Sequence, residues 1–485
     1  MRIIFALLFC FSVAAQAAES LPASILQALQ RARLPASALA LVIAPLDSTS
    51  PPILHNADQP MNPASAMKLV TTYAALELLG PVYQWPTELR SAATPANGLL
   101  AGDVYLKGYG DPKLTLERVW LMLRDLRAQG VKEIQGDLVL DRSFFVLGPE
   151  AAVFDDDGNT PERPFLVGPD ALLLNFKSVR LQIAAGAAGV SATLDPALPE
   201  IQIDNRLQLA PVADCAQWRS KLIMKVEEGG SAARVLLGGS IPVDCSGERY
   251  LAALDHPVYA ASLIRTLWRE MGGVWAGSVR QGTVLENMPI LVVSRSPELP
   301  VYLRDINKFS NNLMARQLFL TLGAVKGLSD DGSDTAQRAG AVIRRWLQEK
   351  SWQFDELKLE NGAGLSRQER ISARHLAELL ADAARSPLAA EFVSSLPLVA
   401  LDGTMKKRLL GEAVAGKAHI KSGSLKDVRS IAGFVQDATG KAQIIVAIIN
   451  HPRAAEGLPV LDETLRFAFD GTVSPAMLAL PPVAR

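Results

Sequence analysis

Hydrophobic and polar positions divide the chain into stretches of different texture. Residues 3–14 form an apolar run after Arg2, and the run ends in Ala15-Gln16-Ala17. A short positive start, an apolar middle and small residues at a cleavage point predict a secretory signal over residues 1–17, too short and wrongly flanked for a membrane span. From Ala23 the pattern predicts a helix, then a strand-like run over 38–43, then a strongly apolar helix reaching about Tyr83. Between Gln84 and Leu254 glycine is frequent, and short strand patterns recur at 104–106, 138–140, 179–183, 201–203, 222–226 and 235–237. One helix, 114–127, interrupts them. From His256 helical spacing dominates, over 258–271, 312–322, 335–350 and 373–384. Three strands follow, 418–424, 430–436 and 442–449, with short polar turns such as Asp437-Ala438-Thr439-Gly440 between them, which predicts an antiparallel meander. Residues 458–467 read as a closing helix. The outer stretches, 18–83 and 255–485, thus read as one α/β domain, and 84–254 as a β-rich insertion of two subdomains.

Composition narrows the function classes. The 485 residues carry 49 Lys+Arg against 50 Asp+Glu, a net charge of −1, without the concentrated positive charge that phosphate binding needs. Nucleic acid is therefore not an expected partner. Neither HExxH nor a paired CxxC is present, and no metal site is expected. Cys10 lies within the signal and follows Phe9 rather than a small residue, which argues against a lipid anchor. Cys215 and Cys245 remain, an even pair in an exported chain. They are expected to form a disulfide closing a loop of about 30 residues, worth ~3 kcal/mol. No later apolar run reaches ~18 residues, so no transmembrane anchor is expected. His55, His256, His375, His419 and His451 are scattered and read as capping or surface residues. The acidic runs at 154–158 and 329–332 lack calcium-loop spacing and read as solvated loops.

Three short segments carry chemistry. In Asn62-Pro63-Ala64-Ser65-Ala66-Met67-Lys68, Asn62 suits an N-cap and Pro63 the first helical position, which puts Ser65 in the first turn. There the backbone N–H groups lack partners and the dipole favours negative charge. Lys68, three residues on, shares that face and is the only charge on an apolar helix start, where desolvation favours its neutral, basic form. SxxK arises about twice by chance in a chain this long, so its setting gives it weight. Ser310-Asn311-Asn312 precedes a helix and offers a hydroxyl that can pass a proton, with an amide beside it. Lys421-Ser422-Gly423-Ser424 lies on a strand, where Gly423 permits close approach of a ligand, Lys421 and Ser422 suit a carboxylate, and the Ser424 amide suits a reacting carbonyl.

The order SxxK, SxN, K[ST]G on helix, loop and strand resembles the active-site-serine penicillin-recognising enzymes, the penicillin-binding proteins and serine β-lactamases. The separation of Ser65 from Ser310, 310 − 65 = 245 residues, calls for a large insertion after the nucleophile helix. That arrangement is similar to the D-alanyl-D-alanine carboxypeptidase/endopeptidase family typified by penicillin-binding protein 4. Gly108-Tyr109-Gly110-Asp111-Pro112, Asn361-Gly362-Ala363-Gly364-Leu365-Ser366-Arg367 and Leu401-Asp402-Gly403-Thr404 match its habits. Ser422 stands where threonine is commoner, and Asn361 and Ala363 where Asp and Ser are usual.

The resemblance implies an α/β (α+β) β-lactamase/transpeptidase-like domain and an acyl-enzyme on Ser65, with Lys68 as base. The amides of Ser65 and Ser424 would form the oxyanion hole. Ser310, in contact with Lys68 and Lys421, would pass a proton, and Asn312 would orient Lys68. Lys421, Ser422 and Gly423 would receive the substrate's terminal carboxylate, with Arg367 as a further substrate contact. It implies peptidoglycan stem peptides and β-lactams as partners, no cofactor, and a periplasmic location; homodimer formation and peripheral membrane or wall association are left open. A β-lactamase or an idle wall-binding module are the competing readings. The former lacks a clear additional Glu for deacylation, and the latter has no chemical need for an intact set of five polar groups.

Overall fold

The computed structural model describes residues 21–47, 50–148, 164–210, 214–215, 218–227, 229–328 and 332–470. The expected signal, the acidic run at 154–158 and most of that at 329–332 lie outside these residues.

Runs apolar at every position need cover on both faces. Leu39–Pro45 and residues 444–449 are such runs, and the strands that carry them, Leu39–Pro45 and Ala442–Asn450, pair in register within a five-stranded antiparallel sheet. Its order is Ala418–Leu425, Val428–Gln436, Ala442–Asn450, Leu39–Pro45, Ile53–His55. Side chains alternate between faces. Leu39, Leu41, Ile43, Ile445, Ala447 and Ile449 meet helices Ala23–Arg31 and Leu458–Asp470. Ala40, Val42, Ile444, Val446 and Ile448 meet a larger helical layer built around Lys68–Leu79, Asn312–Lys326, Thr335–Glu349 and Ala373–Arg385. The expected C-terminal meander is present, as residues 418–450 of this sheet.

The inserted unit has a second, mixed five-stranded sheet in the order Val279–Gln281, Leu138–Asp141, Val104–Gly108, Pro86–Arg90, Ile290–Arg295. Two of these strands lie beyond the expected boundary at Leu254. Helix His256–Glu270 also turns Tyr259, Leu263, Leu267 and Trp268 into the inserted core. By packing, the insertion therefore closes near residue 295, and the chain re-enters the helical layer around Lys68–Leu79 with Leu299–Lys308. The helical spacing of 258–271 did not reveal which core it faces. Residues 179–251 add small sheets that share the same apolar cluster. The Cys215–Cys245 disulfide lies here, with Cα atoms 5.5 Å apart.

The insertion rests on the helix that follows Ser310. Gln317 Nε2 donates to Asp170 O (2.8 Å) and its Oε1 accepts from Asp170 N (2.9 Å). Trp85 Nε1 donates to Thr321 Oγ1 at 3.0 Å. These buried contacts tie the position of the Ser310 helix to the inserted unit.

Candidate active site

Ser65 lies in a 3₁₀ turn, Ala64–Met67, and the α-helix proper begins at Lys68. This differs from the expected N-cap arrangement. Asn62 Oδ1 does accept a backbone N–H, that of Ala64 (2.9 Å), but its amide nitrogen reaches across to Ser366 O (2.8 Å) and so pins the turn to a distant loop. In 3₁₀ geometry residues i and i+3 eclipse. Lys68 Nζ consequently stands 2.9 Å from Ser65 Oγ. Ala64, just before the serine, has φ 48°, a left-handed conformation that a β-carbon makes costly and that the surrounding structure must hold.

A strand and a loop crowd this turn so closely that only glycine fits. A β-carbon on Gly423 would fall 2.5 Å from Pro63 O and 3.0 Å from Ser65 N, and would overlap Ser430 Oγ. Ser430 Oγ itself donates to Pro63 O at 2.6 Å. On the other side, a β-carbon on Gly364, whose φ is +75°, would come within 2.7 Å of Ser65 N and overlap Ala64 O. Gly423 therefore lets the strand backbone approach the turn that carries Ser65.

Lys68 is wholly buried. Its ammonium donates to Ser65 Oγ, to Asn312 Oδ1 (2.7 Å) and to Ala363 O. Burial pulls its pKa down to about 7, against a smaller upward pull from the Glu369 carboxylate. Lys421 is equally buried; its Nζ donates to Ser310 Oγ (2.9 Å) and Ser422 O (2.8 Å). Burial, and then repulsion from Lys68, hold its pKa well below the usual lysine range. The structure thus joins Ser65, Lys68 and Asn312 in one hydrogen-bonded group, and Ser310 with Lys421 in another. Ser310 makes no hydrogen bond to Lys68, contrary to the expected double contact. Its φ of 55° marks it as a second strained position.

The Ala418–Leu425 strand is the edge of its sheet. On the outer side Ala418 O accepts from Val399 N and Ile420 N donates to Pro397 O. Backbone groups alternate sides along an antiparallel strand. Those of Ser422 and Ser424 therefore face the same outer edge, beyond the segment that covers it. Ser422 Oγ lies 2.8 Å from Thr404 Oγ1, in a turn held by the Lys308–Asp402 ion pair (2.6 Å). Arg367 is exposed and paired with Asp427, in the turn after this strand.

Sequence reasoning missed Glu369. Its buried Oε1 accepts from the backbone N–H groups of Asn361 and Gly362 (both 3.1 Å), and so shapes the loop that presents Ala363 O to Lys68. Its Oε2 is buried without a hydrogen-bond partner, and burial raises its pKa. A lone acid in a polar loop gives no periodic signal. Asp402, Thr404 and Ser430 were similarly silent as individual residues.

Residues 21–464 match the D-Ala-D-Ala carboxypeptidase 3 (S13) family. The chain belongs to this family. As an S13 enzyme it is a serine D-alanyl-D-alanine carboxypeptidase with the fold of the penicillin-binding protein 4 group. It is similar to a D-alanyl-D-alanine carboxypeptidase of Actinomadura sp. (strain R39), with 28% identity over 80% of this chain and 73% of that one. The D-alanyl-D-alanine carboxypeptidase DacB of Haemophilus influenzae is 26% identical over 82% of each chain. The crystal structure of penicillin binding protein 4 from H. influenzae superposes with a TM-score of 0.74 at 24% identity, covering 91% of this S13 chain and 98% of the other. That protein has also been solved in complex with a β-lactam.

Proposed function

We propose that this S13 enzyme removes the terminal D-alanine of peptidoglycan stem peptides through an acyl-enzyme on Ser65. Neutral Lys68 takes the Ser65 proton as Oγ attacks the carbonyl carbon between the two D-alanines. The amides of Ser65 and Ser424 face the resulting oxyanion, and each such donor is typically worth ~3 kcal/mol. Collapse of the intermediate breaks the peptide bond, and the proton that Lys68 took passes by way of the Ser310 hydroxyl to the departing D-alanine amine, leaving Lys68 neutral again for the attack of water. Water then hydrolyses the ester and regenerates Ser65.

Lys421 and Ser422 receive the terminal carboxylate. A carboxylate arriving beside Lys421 favours the charged amine that burial and Lys68 disfavour in the empty site, so substrate binding completes this part of the site. Asn312 orients Lys68. Arg367 contacts the stem peptide outside the scissile bond. The same acyl transfer at a D-alanyl–diaminopimelate cross-link is DD-endopeptidase action. A β-lactam presents a carbonyl and a carboxylate to the same groups and traps Ser65. Action on wall peptides, together with the expected signal, supports a periplasmic location.

The observation carrying this reading is the 2.9 Å contact between Ser65 Oγ and the buried, pKa-depressed amine of Lys68. Fluorescent penicillin should tag the wild type stably and leave Ser65→Ala untagged; equal tagging of both would remove Ser65 as nucleophile. Mass spectrometry of muropeptides then divides the activities: loss of D-alanine from monomers is carboxypeptidase action, and monomers released from dimers are endopeptidase action.

A further inference from the structure

The inserted unit holds a cavity of about 570 Å³ between helix His256–Glu270, the Val279–Gln281 strand and the loop at Glu200. Val258, Ser262, Arg265 and Arg269 follow one another at helical spacing on the wall it presents to the cavity, and Arg280 approaches from the strand. The cationic groups are unevenly satisfied. Arg280 is paired with Asp103 (2.6 Å) and Asp137 (3.2 Å). Arg265 donates through one terminal nitrogen to Gly277 O, but its Nε is buried without a hydrogen-bond partner. The exposed guanidinium of Arg269 makes no ion pair or hydrogen bond among the described residues. Among the described residues Glu200 is the only acid lining the cavity, and one of its oxygens accepts from Ser262.

Like charges at i and i+4 on a helix repel. An unpartnered buried guanidinium nitrogen costs free energy as well. An anion seated between Arg265 and Arg269 relieves the repulsion between them. The cavity is far larger than a simple oxyanion needs, and apolar side chains share its lining. It suits a carboxylate carried on a peptide, with the aliphatic part against Val258.

We propose that this cavity is a second, non-catalytic site that holds a carboxylate-bearing wall peptide through Arg265 and Arg269. Resting on the peptidoglycan reading above, it gives the insertion a substrate-anchoring role separate from Ser65. A neighbouring stem, bound there by its carboxylates, tethers the wall while the catalytic cleft works on another.

The test uses the full chain with Ser65 first blocked by benzylpenicillin, so that the catalytic cleft cannot contribute. The probe is the tripeptide L-Ala-γ-D-Glu-diaminopimelate, which has no D-alanine, titrated by calorimetry. Binding should persist in the blocked protein, weaken about tenfold in Arg269→Ala and further in Arg269→Glu, and fall as salt is raised. Arg269 is exposed and unpaired, so these variants leave the fold and penicillin acylation unchanged. No binding to the blocked protein, or equal binding by wild type and both Arg269 variants, would overturn the inference while leaving the assignment of Ser65 intact. Failure of benzylpenicillin to acylate wild-type Ser65 would instead overturn the catalytic reading.

Discussion

The depressed pKa of Lys68 sets a pH profile that an ordinary lysine cannot reproduce. With its pKa at about 7, the neutral fraction of Lys68 is about one eleventh at pH 6 and about ten elevenths at pH 8, so acylation should rise about tenfold across that range and then level off. A lysine at its ordinary pKa of about 10.4 would give a rise of about a hundredfold over the same range, with no plateau below pH 9. The perturbation that ties this to the structure is Glu369→Gln. The amide keeps an oxygen for the N–H groups of Asn361 and Gly362, but removes the negative charge that pulls the Lys68 pKa upward. The Lys68 pKa must then fall and the rising limb move to lower pH, leaving the plateau in place. The assay is quenched-flow acylation of Ser65 by a neutral activated ester, read as intact protein mass; without a carboxylate the ester does not depend on Lys421. A log-linear climb through pH 9, or a limb displaced to higher pH in Glu369→Gln, would refute the argument that burial generates the base.

Two further outcomes follow from packing. In Gly423→Ala the new methyl meets Pro63 O, Ser65 N and Ser430 Oγ. The strand must withdraw from the nucleophile turn, and acylation by benzylpenicillin should fall by roughly a hundredfold with far-UV dichroism unchanged; near-wild-type acylation would show that the turn adapts. Reducing Cys215–Cys245 releases a loop with a sequence separation of 30 and should destabilise the insertion by about 3 kcal/mol. Denaturant titration under reducing conditions should show that loss, and penicillin acylation at low denaturant should persist because the bond lies outside the catalytic layer.

Much of this was legible in the chain. Leu39–Pro45 and Ala442–Asn450 announce buried strands because helices cover both faces of their sheet. Ser65, Lys68, Ser310 and Lys421 stood out only together, as SxxK, SxN and K[ST]G in the order that resembles the penicillin-recognising enzymes, because each motif alone is common by chance. The end of the insertion was not legible. The helix His256–Glu270 has the amphipathic pattern of any packed helix, and periodicity says that a face is buried, not which partner buries it. The 3₁₀ turn at Ser65 was equally hidden. Its conformation is imposed by Gly364 and Gly423, about 300 and 360 positions away in sequence, rather than by local propensity.

These glycines also account for how a strained serine can be held still. The left-handed backbone at Ala64 favours relaxation of the turn, and the amide of Ser65 favours solvent. Both escapes are closed by backbone packed on either side, from the loop at Gly364 and the strand at Gly423, with Ser430 and Asn62 fastening the turn to each. The same loop carries Ala363 O to Lys68 and is shaped by Glu369. Nucleophile geometry and base strength are therefore not independent variables here. A change that loosens residues 360–369 should move the serine and shift the lysine together, whereas a change at Ser422 or Thr404 should weaken carboxylate binding and leave the pH limb where it was.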